Sequence, residues 1–136
     1  MAANTSPIFG LAANLSETTI LPADTTVAKT VWTPDATNGG VLAHLNVCSD
    51  DSADHICEVY ANDGSTDYLL GTVDVPDLSG TNGATDPAVD LIDQGQIPGV
   101  GGEGLFLPGG YSVKVAVQTT VTAAKTVTVI GIGFDY

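Results

Sequence analysis

His44, Cys48, His55 and Cys57 sit close together in the chain, and imidazole and thiolate are the side chains that hold zinc. Zinc sites, however, pair their ligands in short Cys–Cys and His–His spacings, and this order matches none of them, so the histidines read as members of a polar hairpin. The two cysteines stand at the end of one expected strand and the start of the next. A hairpin neck would bring them within bridging range, and a bond would close a loop of about ten residues, worth ~2.5 to 3 kcal/mol if chain entropy dominates. Bonded and free thiols both remain open, because geometry and compartment decide between them. Asp50, Asp51 and Asp54 offer oxygen ligands of the kind calcium takes, but they lack the alternating acidic positions, central glycine and closing glutamate of a calcium loop. They read as a solvated acidic turn, and Asp86, Asp90 and Asp93 read the same way. The glycine-rich stretch 98–104 has no Lys-Ser or Lys-Thr after it and no following helix, which leaves a turn and no phosphate cradle. There is no Gly-X-Ser-X-Gly, and neither histidine lies in a nucleophile motif. The expectation is a chain with no catalytic residues, no metal and no cofactor.

The elements that carry these residues are read from composition and periodicity. The chain has 16 acidic residues against 3 lysines and no arginine, a net charge of −13, yet charged residues are only 14% of it and the mean hydropathy is +0.23. A disordered acidic chain would be poor in Val, Ile and Leu. Here short Val/Thr alternations recur between Gly, Asp, Asn and Pro turns, so the acidity is carried on an ordered β-rich body. Lys29, Lys114 and Lys125 are too few and too scattered for a phosphate-binding stripe, which excludes nucleic acid as a partner. No apolar stretch approaches the ~20 residues of a membrane span, and the N-terminus lacks the basic opening of a cleaved signal, so neither a membrane nor export is expected.

Residues 1–24 show no clean period but hold Ile8, Phe9, Leu11, Leu15, Ile20 and Leu21. They read as an N-terminal arm that must lie against something, either an edge of its own domain or a neighbouring molecule. Residues 25–136 read as one β-sandwich domain. Expected strands are 26–33, about 41–48 with a hairpin partner at 56–60, 68–75, brief pieces at 88–92 and 105–107, then 111–118 and 126–134. In the third of the longer ones, Leu69, Val73 and Val75 share a side. Along 41–48 strict alternation puts Val41, Ala43, Leu45 and Val47 on one face, opposite Leu42, His44, Asn46 and Cys48. In the last strand Thr128, Ile130, Ile132 and Phe134 oppose Val127 and Val129, while Gly131 and Gly133 share a face and leave room for a backbone or an aromatic ring. Such a set, with no helix-period segment, points to an antiparallel sandwich of jelly-roll type whose edges invite pairing with copies of itself.

The phrases ADTTVAKTVWTPDATNGGVLAHLNV, STDYLLGTVDVP, LFLPGGYSVKVAV and VTVIGIGFDY, spread over residues 23–136, together resemble small structural proteins of tailed bacteriophages encoded with the head genes, some of which are capsid cement or decoration proteins. The resemblance implies a sandwich that assembles as a homotrimer on the outer face of the shell, made in the host cytoplasm, with the major capsid protein as partner. The six apolar residues of the arm are then the expected contacts to shell or neighbouring subunit. Two rivals use the same fold. A tail or fibre module would bind a receptor or carbohydrate, stacking sugars on Trp32, Tyr60, Tyr68 or Tyr111, although Trp32 and Tyr111 occupy core-like positions. A secreted adhesin or matrix protein would need the missing export signal.

Overall fold

β-branched residues in two-residue alternation favour extended backbone, and the chain follows that pattern into strands joined by Gly, Pro and Asx turns. A computed structural model describes residues 12–83, 86–92 and 104–136; Ile8, Phe9, Leu11, Asp93 and residues 98–103 lie outside them. The strands are β1 (Ala12–Ile20), β2 (Lys29–Trp32), β3 (Gly40–Ser49), β4 (His55–Asn62), β5 (Asp67–Val75), β6 (Val89–Asp90), β7 (Leu105–Leu107), β8 (Ser112–Val117) and β9 (Val127–Asp135). Among the described residues all strand pairings are antiparallel. One sheet runs β1-β9-β3-β6, with β7 also on β3, and the other runs β2-β8-β4-β5. The protein is an all-β sandwich, as its periodicity indicates.

The core lies between the sheets, where Leu42, Leu45, Val47, Val127 and Val129 meet Val59, Val113, Val115 and Val117. Trp32 sits at its end, fully buried, and its indole N–H donates to the Asn14 carbonyl at 3.2 Å. The glycine pair of β9 is explained by this ring. A Cβ built on Gly131 would stand 2.9 Å from the Trp32 Cβ, and one on Gly133 would stand 2.3 Å from the Val41 carbonyl oxygen and 2.8 Å from the Trp32 Cζ2.

Of the segment expected as an arm, residues 12–20 close an edge of their own domain: β1 pairs with β9 from Ala12↔Asp135 to Ile20↔Val127. Its outer edge is sewn to β2 of the facing sheet by side chains. Asn14 donates to the Thr33 carbonyl at 2.9 Å, Ser16 to the Val31 carbonyl, and the Lys29 ammonium to the Thr19 carbonyl at 2.7 Å. A 3-10 turn at Pro22–Asp24 then carries the chain into β2.

Three local expectations are corrected. Strands β3 and β4 are not hairpin partners but stand in different sheets, because β3 finds a nine-residue register with β9 while β4 pairs with β5 and β8. Strict alternation along β3 fails at a bulge between Leu42 and His44, which turns Leu42 inward with Leu45 and Val47. A second bulge at Val59/Tyr60, opposite the Leu69–Gly71 segment, leaves Leu69 exposed while Val73 and Val75 stay buried.

Candidate interaction surface

The outward face of the first sheet is apolar where a solvated sandwich would be polar. Because Val127 and Val129 of β9 point inward, Thr128, Ile130, Ile132 and Phe134 point out. Register then fixes their neighbours. Phe134 stands between Ala13 and Val41, and Val41 in turn pairs with Phe106 of β7. Ile132 stands between Leu15 and His44, and Ile130 between Glu17 and Asn46. Leu15 is 69% exposed, Phe106 56% and Phe134 48%, with the Tyr136 ring 6.0 Å from that of Phe106. Contiguous exposed side chains of this size make this face the candidate interaction surface. One end of the patch is acidic: the Glu17–Ile130–Asn46 row continues to Asp90, whose carboxylate lies 2.6 Å from the His44 Nδ1.

Of the residues expected to make contacts, Leu15 lies in this patch and Leu21 is exposed beside the 3-10 turn, whereas Ile20 is fully buried in the core and has no surface to offer a partner. Phe106, Ile130, Ile132 and Phe134, which share this outward apolar face, were not among the expected contacts. The signal was present, since β9 is apolar on both sides, and a strand with two apolar faces must be covered twice.

The His/Cys set does not converge. His44 and Cys48 face outward from β3, while His55 and Cys57 face inward from β4. Both thiols are free, with a sheet between them and no hairpin neck to join them. Burial pushes the Cys57 thiol up to about 12, which keeps it protonated and unreactive. Unfolding midpoints in urea are therefore expected to be the same with and without reductant, and iodoacetamide to modify Cys57 only in the unfolded chain; a midpoint lowered by reductant would reveal a bridge.

The acidic loop is structural, and its central member is not solvated. Asp50 accepts from the Thr126 amide at 2.6 Å and Asp54 from the Asp77 amide at 2.9 Å. Asp51 is fully buried and accepts from the Thr122 amide at 2.8 Å, the Ala53 amide at 3.2 Å and the ring of the equally buried His55 at 2.9 Å. Burial would by itself push the Asp51 carboxyl up, but the Thr122, His55 and Ala53 hydrogen bonds outweigh it and hold the carboxyl well below the usual carboxylate range. A carboxyl lowered on folding adds stability that is complete above its unfolded value of about 4 and is lost as pH falls toward the folded value. Asp51→Ala strands His55 and the Thr122 amide, so a loss of about 3 kcal/mol or more is expected at pH 7. That deficit should narrow below about pH 4, as urea titrations of both proteins across pH will show. Asp86 bonds Asn82 in the same local manner, and Asp90 accepts from the Leu45 and Ile92 amides besides meeting His44. Among the described residues no group of three or more His, Cys, Asp or Glu side chains is arranged to hold a metal ion.

The aromatic residues weighed as sugar platforms are otherwise engaged or half-covered. Trp32 is buried, Tyr111 packs on the core, and the Tyr60 and Tyr68 hydroxyls donate to Glu58 and Asp63 at 2.6 and 2.9 Å. Among the described residues no helix is long and apolar enough to cross a membrane.

No family model and no curated protein sequence matches the chain. Among solved structures it is similar to a chain of the Cyanophage Pam1 capsid asymmetric unit, at 18% identity, over 99% of this chain and 94% of that chain, with a TM-score of 0.48.

Proposed function

We propose that the protein is a structural component of a tailed-phage head, a cement or decoration protein that docks on the outer surface of the shell through the apolar face of its first sheet and bridges neighbouring capsomers, most simply as a homotrimer. The observation that carries this reading is the row of outward apolar side chains on β1, β9, β3 and β7, with Leu15, Phe106 and Phe134 about half or more exposed. Strand order supports the jelly-roll form of the fold: β1, β9, β3 and β6 against β2, β8, β4 and β5 is the arrangement two Greek keys wound together produce. Charge supports the outer location. A chain of net charge −13 is repelled by packaged DNA, while on the outside the same charge keeps particles apart. The partner surface on the major capsid protein would be apolar at its centre with basic groups opposite Glu17 and Asp90. Several modest patches engaged at once by an oligomer give avidity that a single patch lacks.

The test is addition of purified protein to heads that lack it, followed by a count of bound copies. Saturation at hundreds of copies per head fits a shell protein, and a handful fits the tail or fibre alternative. Removing residues 1–22 would strip β1 from β9 and take Ile20 out of the core, so the informative truncation removes residues 1–11 alone. The truncated chain is expected to stay folded, as judged by an unchanged urea midpoint, and to bind heads more weakly. Undiminished binding would remove Ile8, Phe9 and Leu11 from the contact.

A further inference from the structure

The second sheet carries a concavity on the side of the sandwich away from the apolar face. It lies where β4 begins and β5 ends, is open to solvent, has a volume of about 540 Å³, and its lining mixes apolar and polar residues. Ile56, Val75 and Pro76 supply the apolar part of the lining, and Asp54, His55, Asp74, Gln118 and Thr119 the polar part. Ile56 and Asp74 are register partners across β4 and β5, and the Gln118 amide donates to the Ile56 carbonyl at 3.0 Å, so three of these positions are fixed by the ladder. The Gln118 side chain is held in turn by Glu58, at 3.0 Å.

The two carboxylates keep acceptor capacity that several acids of the chain spend on their own loops. Asp63, for example, is consumed by its own loop, accepting from Ser65, Thr66 and Tyr68. Asp54 uses one oxygen on the Asp77 amide, and Asp74 has no hydrogen bond or ion pair among the described residues. The chain has little cation of its own to supply, since Lys29 is 3.0 Å from Asp24 and Lys114 is 3.1 Å from Asp67. Apolar lining beside two under-used carboxylates is the complement of a hydrocarbon stem that ends in a cation.

We propose that this cavity receives a basic side chain, arginine or lysine, presented by a neighbouring polypeptide. The stem lies along Ile56 and Pro76 and the cationic head meets Asp54 and Asp74. At about 540 Å³ the cavity falls within the range of small-ligand sites and exceeds one side chain, which leaves room for flanking backbone. A sandwich that engages partners on opposite sides joins two of them, but the proposal uses other residues than the apolar face and stands whether or not the chain is a shell protein.

The probe is N-acetyl-arginine N-methylamide, titrated into the full chain and followed by NMR at the Ile56 methyls and the Gln118 side-chain amide, with the norleucine analogue and spermidine as comparators. The expected result is saturable shifts confined to the cavity with the arginine probe, at least tenfold weaker binding in Asp54→Asn/Asp74→Asn, and no saturation with the norleucine analogue. Asp74→Asn alone, at an exposed residue, serves if the double variant does not fold, and should also weaken binding. Shifts spread over the whole acidic surface, equal saturation by spermidine, or unchanged affinity in the variants would each overturn the assignment.

Discussion

Trp32→Ala is expected to remove about 3–5 kcal/mol of stability, the upper range for loss of a large aromatic side chain from a core. The site cannot collapse to fill the gap, because the space beside the indole is bounded by Gly131, Gly133 and Gly40, whose backbones are already pinned in the β9 and β3 ladders. The substitution also removes the donor to the Asn14 carbonyl and so loosens β1, the strand that the facing sheet holds by side chains alone. Small domains have about 5–15 kcal/mol in total, so urea unfolding of the variant should begin near zero denaturant. A midpoint shifted only slightly would mean that the ring is not the keystone its three glycines imply.

The second large effect is on association. Leu15 and Phe134 point outward from adjacent strands and contribute little to the fold of the isolated chain, so Leu15→Glu/Phe134→Glu should leave the urea midpoint within about 0.5 kcal/mol of the parent. Covering what remains exposed of each side chain is worth about 1–2 kcal/mol, a part of the roughly 1.5–3 kcal/mol for full burial, and burying a carboxylate in its place adds to the loss. Binding to heads should therefore fall by about 100-fold or more in a pelleting assay, at about tenfold per 1.4 kcal/mol. A control substitution on the second sheet, such as Thr72→Glu, should leave head binding unchanged.

The all-β class, the positions of most strands and the reason for Gly131 and Gly133 were legible because they depend on local periodicity and on the space a missing Cβ leaves. What failed was pairing. The Cys48–Cys57 neighbourhood suggested a hairpin, yet residues 50–54 carry the chain from one sheet to the other, anchored by Asp51, which looks like any turn aspartate until Thr122 and His55 close around it. The bulges at Leu42/His44 and at Val59/Tyr60 were equally hidden, since each adds one residue without changing composition, and each moves a leucine to the other side of its strand. The outward apolar face was half visible. Leu15 was found as an apolar residue in an arm, but residues 12–20 of that segment are a strand, and its partners on the surface come from the far end of the chain.

The account rests on the outward side of the β1-β9-β3-β7 sheet being covered in the assembled particle. Carbene footprinting of the free protein and of the same protein on heads tests this directly. The account predicts that Leu15, Phe106 and Phe134 label strongly in the free chain and are protected on heads. Equal labelling of these three residues in both states, with protection elsewhere or nowhere, would contradict it.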